Sequence, residues 1–206
     1  PQAADAEPDA AAATAATPPQ PRPGDPVDSL ISELLEEPKP RDPNVKRRSD
    51  TMWWAEIFDE TWMRLLPGSF YKRTLREAAF LRTTLRPPPA ARVLDVACGF
   101  GRHAIELAAD GHRLVGVDRS RPLLQRALSE FERRALSGTF LLGDMREMTF
   151  EREFDAAYCF HSSFGYFDDD ENLGVLAAMH RALVPGGRLV VEQINRAWVA
   201  SSAPHR

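Results

Sequence analysis

From Ala91 onward, short apolar segments alternate with amphipathic segments of helical length, and this alternation restricts the fold more than any other feature of the chain. Runs rich in Val, Leu and Phe predict strands, whereas apolar residues three or four positions apart predict helices. The predicted strands cover residues 91–97, 112–118, 139–144, 154–160 and 187–194, and the helices between them cover residues 102–109, 121–136 and 170–183. This order predicts a doubly wound α/β fold, with a Rossmann-like parallel sheet covered by helices on both faces.

The order of these segments also predicts where a ligand would lie. In doubly wound sheets, ligands bind beyond the carboxyl ends of the strands, at the point where the strand order reverses. Functional residues should therefore follow the strands directly. The sequence ends at Arg206, soon after the last predicted strand, which would leave a long apolar sheet edge. We therefore expect the domain to be C-terminally incomplete in this chain and to lack its last strands.

The first 48 residues differ in composition from the rest. Residues 1–26 are mainly Ala, Pro, Gln and Asp, so they cannot bury enough apolar surface to offset the entropy of ordering. Residues 28–37 have the pattern of a short amphipathic helix, and residues 38–48 form a basic linker rich in proline. We expect residues 1–48 to be a disordered tail and linker, and residues 49–206 to form the folded domain.

Two helical segments open the predicted domain and form an N-terminal helical cap. Ser49 or Asp50 would cap a helix over residues 51–66, which carries an aromatic face, and a second helix is predicted over residues 71–86. We expect the aromatic side chains of the first helix, Trp62 among them, to pack into the core. The alternative is that this helix covers the ligand cleft as a lid.

Composition bounds the class of protein. A chain of 206 residues with 43% hydrophobic residues has room for one sizeable core, and a net charge of −4 makes nucleic acid an unexpected partner. No apolar run reaches the roughly 18 residues that a membrane span needs. Cys98 and Cys159 lie in apolar runs without the spacing of a disulfide framework or a metal site, so the sequence favours the cytoplasm and predicts no metal. The oligomeric state stays open.

The stretch VLDVACGFGRHAIELA, residues 93–108, reads as a strand, a glycine-rich turn and a helix. Gly99, Gly101 and Ala104 fit the spacing G-x-G-x-x-G/A of dinucleotide-binding turns, which receive a pyrophosphate at the start of a helix. Asp95 stands four residues before the first glycine, and its carboxylate would repel that pyrophosphate. S-adenosylmethionine carries a sulfonium and an ammonium group and no phosphate, so an acid is a suitable partner, directly or through water.

This stretch resembles motif I of class I S-adenosylmethionine-dependent methyltransferases. The resemblance implies that Asp118, at the end of the second strand, accepts hydrogen bonds from the ribose hydroxyls. It also implies that Asp144 accepts from the adenine amino group and that Met145 packs beside the ring. The segment LVPGGRLVVE resembles the helix, Pro-Gly-Gly turn and fifth strand of the family. The full set of cofactor-binding residues so implied is Asp95, Ala97, Gly99, Gly101, Asp118, Arg119, Asp144, Met145 and Phe160.

The loop HSSFGYFDDD follows the fourth strand, where the family meets the methyl acceptor. The resemblance makes His161 the candidate catalytic base, and it makes Ser162, Ser163, Phe164, Tyr166 and Phe167 the candidate substrate-binding residues. Methyltransferases that act on adenine or cytosine amino groups carry an N/D-P-P-Y/F motif here, and this chain has CFHSSF instead. We therefore expect a small-molecule acceptor, methylated on an O, N or C atom.

Each assignment has a plainer alternative. Asp95 could cap the following helix or pair with an arginine, Asp118 could cap the helix after it, and Asp144 could belong to an ordinary turn. His161 next to Ser162 suggests a hydrolase, but no G-x-S-x-G motif is present. The alternatives for the whole protein are a non-catalytic S-adenosylmethionine-binding module and an NAD-dependent oxidoreductase, the latter disfavoured by Asp95.

Overall fold

The alternating segments form one parallel sheet with helices on its two faces. The structure, a computed structural model, describes residues 57, 58, 60–65 and 70–202. All of them belong to one compact unit. The predictions for the tail, for the helix over residues 28–37, for the linker and for the caps Ser49 and Asp50 lie outside the described residues.

The helices and strands follow the predicted order. The helices are α1 (Glu60–Leu65), α2 (Phe70–Leu85), α3 (Arg102–Ala109), α4 (Arg121–Arg133), α5 (Asp169–Ala182) and α6 (Arg196–Ser202), with a short 3₁₀ helix at Met145–Glu147. The strands are β1 (Arg92–Val96), β2 (Arg113–Asp118), β3 (Gly138–Leu142), β4 (Phe154–Cys159) and β5 (Leu183–Val191). Within the described residues, no helix is long and apolar enough to cross a membrane.

The sheet has the order β3-β2-β1-β4-β5, and its paired strands all run parallel. β2 and β3 lie in turn on one side of β1, and β4 and β5 lie in turn on its other side. The strand order therefore reverses between β1 and β4, which confirms the doubly wound α/β fold. The carboxyl ends of β3, β2, β1 and β4 lie side by side at one edge, where a ligand is expected.

The core lies on both faces of the sheet because successive side chains of a strand point to opposite faces. In β1, Val93 belongs to the cluster that includes buried residues of α2 and α3, whereas Leu94 and Val96 belong to the cluster that includes buried residues of α5. Asp95 shares the face of Val93 and is only 2% exposed. The strand pattern thus buries an acid within the apolar interior.

The helix after β2 ends earlier than the predicted residue 136. α4 ends at Arg133, and Ala135 takes a left-handed conformation with a φ of 52°. The N–H of Leu136 then donates to the carbonyl of Phe131 over 2.9 Å. Leu136 lies in this turn and packs against the core cluster that contains Val93 and Phe131. This contact explains why the apolar periodicity continues beyond the helix.

The last strand begins earlier than the predicted residue 187, and its Pro-Gly-Gly segment does not separate helix from strand. β5 already pairs at Leu183 with Phe154, and the next aligned pair is Arg188 with Ala156. Two steps along β4 therefore match five along β5, so the segment between them bulges out of the ladder. Gly186 provides the turn with a φ of 81°. The turn was predicted correctly, but the boundary was wrong because the chain pairs on both sides of it.

Candidate functional site

The glycine-rich turn over residues 97–101 joins β1 to α3 and opens the site. Ala97, Gly99 and Gly101 all have positive φ, at 58°, 54° and 69°. A Cβ on Gly101 would lie 3.2 Å from the Cβ of Ala127 in α4, so the backbone approaches its neighbour closely. The sharp turn and this close packing explain the two glycines.

Asp118, at the end of β2, is fixed by backbone donors. The N–H of Gly99 donates to its Oδ2 over 2.7 Å, and the N–H of Ser120 donates to its Oδ1 over 2.8 Å. Burial raises the pKa of this carboxyl, and hydrogen bonds from the backbone of Ser120, Gly99 and Arg119 oppose that rise. The cap of α4 is Ser120, whose Oγ accepts from the N–H of Leu123, so Asp118 is not the helix cap.

Asp144 follows β3 and is held by two arginines. Its Oδ1 accepts from the backbone N–H of Arg146 over 2.9 Å, which caps the 3₁₀ helix, and its Oδ2 accepts from Arg146 Nη2 over 2.7 Å. Arg119 Nη1 lies 3.3 Å from the same Oδ2. Burial alone would raise the pKa of Asp144, but the bonds and charges of Arg146 and Arg119 together lower it. The carboxylate is therefore ionised and firmly oriented.

Asp95 lies beneath the site rather than on its wall. Its Oδ2 accepts a hydrogen bond from the hydroxyl of Tyr158 over 2.8 Å, because β1 and β4 place these residues opposite each other. Burial raises the pKa of Asp95 to about 8, despite the opposing effect of the Tyr158 bond. At neutral pH this carboxyl is therefore largely protonated.

The loop after β4 presents His161. His161 and Ser162 both have positive φ, and the N–H of Ser162 donates to Glu192 Oε2 over 3.0 Å. The imidazole meets the ring of Phe70 edge to face, with centroids 5.6 Å apart. Burial lowers the pKa of His161, and the positive charge of Arg102 lowers it further, so the ring is neutral at pH 7.

These elements surround one pocket of about 200 Å³ at the carboxyl edge of the sheet. The structure brings most of the predicted site residues to its wall. They are Ala97, Gly99, Asp118, Arg119, Asp144, Met145, Phe160, His161, Ser163, Tyr166 and Phe167. Asp95, Gly101, Ser162 and Phe164 do not line it. Phe164 packs instead against the core cluster on the α5 face, and Gly101 contributes through the shape of the turn.

Several wall residues were not predicted. Phe58, Phe70 and Phe100 add aromatic surface, and Phe58 stacks on Tyr166 with centroids 6.0 Å apart. Trp62, expected in the core, also lines the pocket. The Oγ of Ser120 donates to the carbonyl of Phe58 over 2.6 Å, which ties this part of the chain to the start of α4. The aromatic periodicity of residues 51–66 was a usable signal, since the alternative of a covering helix followed from it.

Arg102 and His103 were also missed, although they follow the glycine turn directly. Both line the pocket and both contact Glu77 of α2, with His103 Nε2 3.0 Å from Glu77 Oε2. Their position depends on how α2 packs against α3, which the motif alone does not reveal.

Most of the residues that line the pocket lie in a segment that matches a known protein family. A model of the family described as "Methyltransferase domain" matches residues 93–187. The glycine/sarcosine N-methyltransferase of Aphanothece halophytica is 31% identical over 145 residues, which cover 69% of this chain and 54% of that protein. A dTDP-3-amino-3,4,6-trideoxy-alpha-D-glucopyranose N,N-dimethyltransferase of Streptomyces venezuelae is 36% identical over 108 residues, covering 52% of this chain and 44% of that one.

A solved methyltransferase structure has a similar fold. CalS10, an amino pentose methyltransferase from Micromonospora echinaspora with bound S-adenosylmethionine, superposes with a TM-score of 0.52 and 28% identity, covering 66% of this chain and 56% of CalS10. The chain thus spans about half the length of the curated relatives it matches, at 54% and 44%. The segment matched by the family model, residues 93–187, contains β1 to β4 and the turns that follow them.

Proposed function

We propose that the chain belongs to the class I S-adenosylmethionine-dependent methyltransferase family and transfers a methyl group from S-adenosylmethionine to an amino nitrogen of a small molecule. The match of residues 93–187 to a methyltransferase-domain model supports this proposal. The proposed nitrogen acceptor is supported by the relatives, which are named for N-methylation of glycine, sarcosine or amino sugars. This narrows the O, N or C acceptor expected from the sequence.

One observation carries the proposal. The turn after β1, Asp118 at the end of β2 and Asp144 after β3 line a single pocket in the order of the strands. S-adenosylmethionine has an amino acid end, a ribose and an adenine in the same linear order. The residues suit these parts chemically, because a carboxylate has about four lone pairs and the described backbone donors to Asp118 leave acceptor capacity for hydroxyl groups.

We propose that Asp118 accepts from the ribose hydroxyls and that Met145 packs beside the adenine. Asp144 would accept from the adenine amino group on lone pairs that Arg119 and Arg146 leave open. The two arginines keep this carboxylate ionised, so it remains an acceptor at any physiological pH. Asp95 would act as a positioning residue, since its bond to Tyr158 joins β1 to β4 directly below the turn.

The N–H of Gly99 is the feature of the site that disfavours a dinucleotide. In a dinucleotide site, the N–H groups of the glycine turn face the pyrophosphate. Here the N–H of Gly99 donates to Asp118 Oδ2 instead. Asp118 itself does not separate the two cofactors, because dinucleotide sites also carry an acid at the end of the second strand. Asp95 is enclosed and mostly neutral, so it does not repel a phosphate in the way that the sequence suggested.

For the acceptor, we propose that His161 is the general base. An amine that arrives protonated must lose a proton before it attacks, and a neutral imidazole on the pocket wall can take it. S-adenosylmethionine supplies a sulfonium-bound methyl group that is already electrophilic. The remaining work of this chain is to align the amine and exclude water, for which the aromatic side chains of Phe58, Phe70 and Tyr166 are suited.

Binding and transfer can be tested separately on the full chain. Calorimetry with S-adenosylmethionine, S-adenosylhomocysteine and NAD should detect the first two and not NAD. Incubation with donor labelled on the methyl group and a panel of glycine, sarcosine and nucleotide-linked amino sugars should then yield a labelled N-methyl product. Binding of NAD alone would overturn the proposal. Binding of the donor without labelled product from any amine in a single turnover would indicate a binding module instead.

We further propose a cytoplasmic location. Cys98 and Cys159 are unpaired and buried, which is the usual state of thiols in a reducing compartment. Fractionation of the native host, followed by detection with an antibody, would test this, and recovery in a secreted fraction would contradict it.

A further inference from the structure

Arg146 links two carboxylates that come from different parts of the fold. Its Nε and Nη2 donate to the two oxygens of Asp144 over 3.1 and 2.7 Å, in the fork geometry of a guanidinium on a carboxylate. Its Nη1 donates to Oε1 of Glu171, in the first turn of α5, over 2.8 Å. Asp144 lines the pocket, whereas Arg146 and Glu171 do not. Glu171 is therefore placed to act on a bound ligand through Arg146 and Asp144.

Packing alone does not explain the position of Glu171. Its side chain is only 14% exposed, and its backbone N–H donates to Asp168 Oδ1 over 2.9 Å at the start of α5. Within the described part of the chain, its Oε2 is buried and has no hydrogen-bond partner. A buried oxygen without a partner destabilises a fold, because it loses its bonds to water. Its retention points to a use for the charge of Glu171 rather than for its packing.

Phe167 holds the same guanidinium next to the pocket. The guanidinium carbon of Arg146 lies 4.3 Å from the centroid of the Phe167 ring, within the range of a cation–π contact. Phe167 is 5% exposed and lines the pocket. The ring, the fork on Asp144 and the bond to Glu171 together leave the guanidinium one position. Its charge is therefore fixed beside the carboxylate that faces the ligand.

These contacts join two positive and two negative groups. Arg119 Nη1 lies 3.3 Å from Asp144 Oδ2, so two guanidinium groups face this one carboxylate. Glu171 supplies the second negative charge. Without it, the four groups would become three with a net positive charge, and their field would favour a hydrogen-bond acceptor on the ligand. With it, Asp144 keeps the negative potential that attracts a hydrogen-bond donor.

The purine edge that would meet Asp144 differs between adenine and hypoxanthine. Adenine carries an amino group there, which donates, and hypoxanthine carries a carbonyl oxygen, which accepts. We propose that Glu171 determines the preference of this site for adenine over hypoxanthine, because it balances the charge of Arg146 beside Asp144. Glu171 is thus a positioning residue that acts through Arg146. This inference rests on the proposed function, because it assumes that Asp144 meets the adenine.

The test compares two ligands that differ only along this edge of the purine. S-adenosylhomocysteine has the amino group, and S-inosylhomocysteine has a carbonyl oxygen in its place and a proton on N1. Calorimetry on the full chain should give a dissociation constant about 10- to 100-fold higher for the inosyl ligand. Glu171→Met keeps the length of the side chain and removes its charge, so we expect this preference to fall by about tenfold.

A double variant separates the effect of charge from a general loss of structure. Glu171→Met combined with Arg146→Met removes one charge of each sign and leaves Asp144 balanced by Arg119. We expect this double variant to regain most of the preference that Glu171→Met loses. Asp170→Asn is the matched control, since it removes an exposed acid from the same turn of α5, and it should keep the full preference.

Three results would overturn the inference while leaving the proposed function intact. They are an unchanged preference in Glu171→Met, an equal loss of affinity for both ligands in that variant, and a double variant that regains nothing. Equal binding of both ligands by the unaltered chain would also overturn it, because Asp144 would then not meet the amino group. If the unaltered chain binds neither ligand, the proposed function fails, and the inference fails with it.

Discussion

His161 and Ser162 take adjacent left-handed conformations at the end of β4, with φ values of 68° and 58°. Each such residue other than glycine costs about 1–2 kcal/mol. The hydrogen bond from the N–H of Ser162 to Glu192 joins this turn to the end of β5 and offsets part of the cost. Strain of this kind is retained where a side chain must point in one direction, here toward the pocket.

We expect His161→Gln to lower kcat for the amine acceptor by about 100-fold or more, the usual contribution of a general base. Because the pKa of His161 lies below the ordinary 6.5, the neutral base is present above that pH and is lost as the pH falls through its pKa. The kcat profile should therefore fall on the acid side below pH 6.5, and the variant should lack this limb. His180→Gln, on an exposed face of α5, should keep it. An acid limb that persists in His161→Gln would exclude this role.

A second substitution tests Asp118, the proposed hydrogen-bond acceptor for the ribose hydroxyls of the donor. Asp118→Asn removes a carboxylate whose oxygens are oriented by Gly99 and Ser120, and we expect it to raise the dissociation constant of S-adenosylhomocysteine by about 10- to 100-fold. Asp110→Asn, which alters an acid paired with Arg82 away from the pocket, should leave that constant unchanged. Equal affinities of the two variants by calorimetry would show that Asp118 does not contact the donor.

At the scale of elements, the turn between β1 and α3 depends on Gly101 for two separable reasons. Its φ of 69° is unfavourable for any other residue, and its missing Cβ leaves room for Ala127 and Phe140. Gly111 has a φ of 90°, but an added Cβ there would meet nothing within 4 Å, so it shares only the first reason.

We therefore expect Gly111→Ala to lower the free energy of unfolding by about 1–2 kcal/mol, and Gly101→Ala to lower it by more. Urea denaturation of both variants measures the difference. If the two losses are equal, the close packing of the turn against α4 and β3 contributes nothing to stability.

The sequence predicted the helices, strands and turns well where they depend on residues that are neighbours in the chain. The bounds of α3 agree residue for residue. Asp118 ends β2 and Asp144 follows β3 as expected, because apolar runs and turn residues are adjacent in the chain. Asp95 was placed in the site, but its bond to Tyr158 depends on pairing between β1 and β4. Arg102 was missed because its position on the pocket wall depends on its contact with Glu77, and that contact forms only when α2 packs on α3.

At the scale of the whole molecule, Asp95 links stability to pH. Its pKa is about 8 in the folded protein, against 3.8 for an ordinary aspartate in an unfolded chain. Between these two values the folded state holds a proton that the unfolded chain has released. The free energy of unfolding therefore falls as the pH rises through this window, by at most about 1.4 kcal/mol per pH unit from this group.

We expect Asp95→Asn to remove this contribution, so that the stability of the variant relative to the unaltered protein increases from pH 5 to pH 8. Denaturation at several pH values measures the difference and cancels the titration of other groups. Tyr158→Phe should extend the decline above pH 8, because the lost hydrogen bond favours the ionised carboxyl. A constant difference between Asp95→Asn and the unaltered protein would mean that Asp95 ionises normally in the fold.

The bulge between Leu183 and Arg188 is a position where the chain can accept an inserted residue. Five steps of β5 already span two of β4 there, so one more residue would enlarge the loop without altering the pairs from Arg188 to Val191. Lengthening a loop costs little chain entropy compared with shifting a strand, which would turn every side chain to the wrong face. The bulge lies at the amino end of β5, opposite the pocket edge. It is therefore a suitable point to introduce a fluorescent or affinity label while leaving the pocket undisturbed.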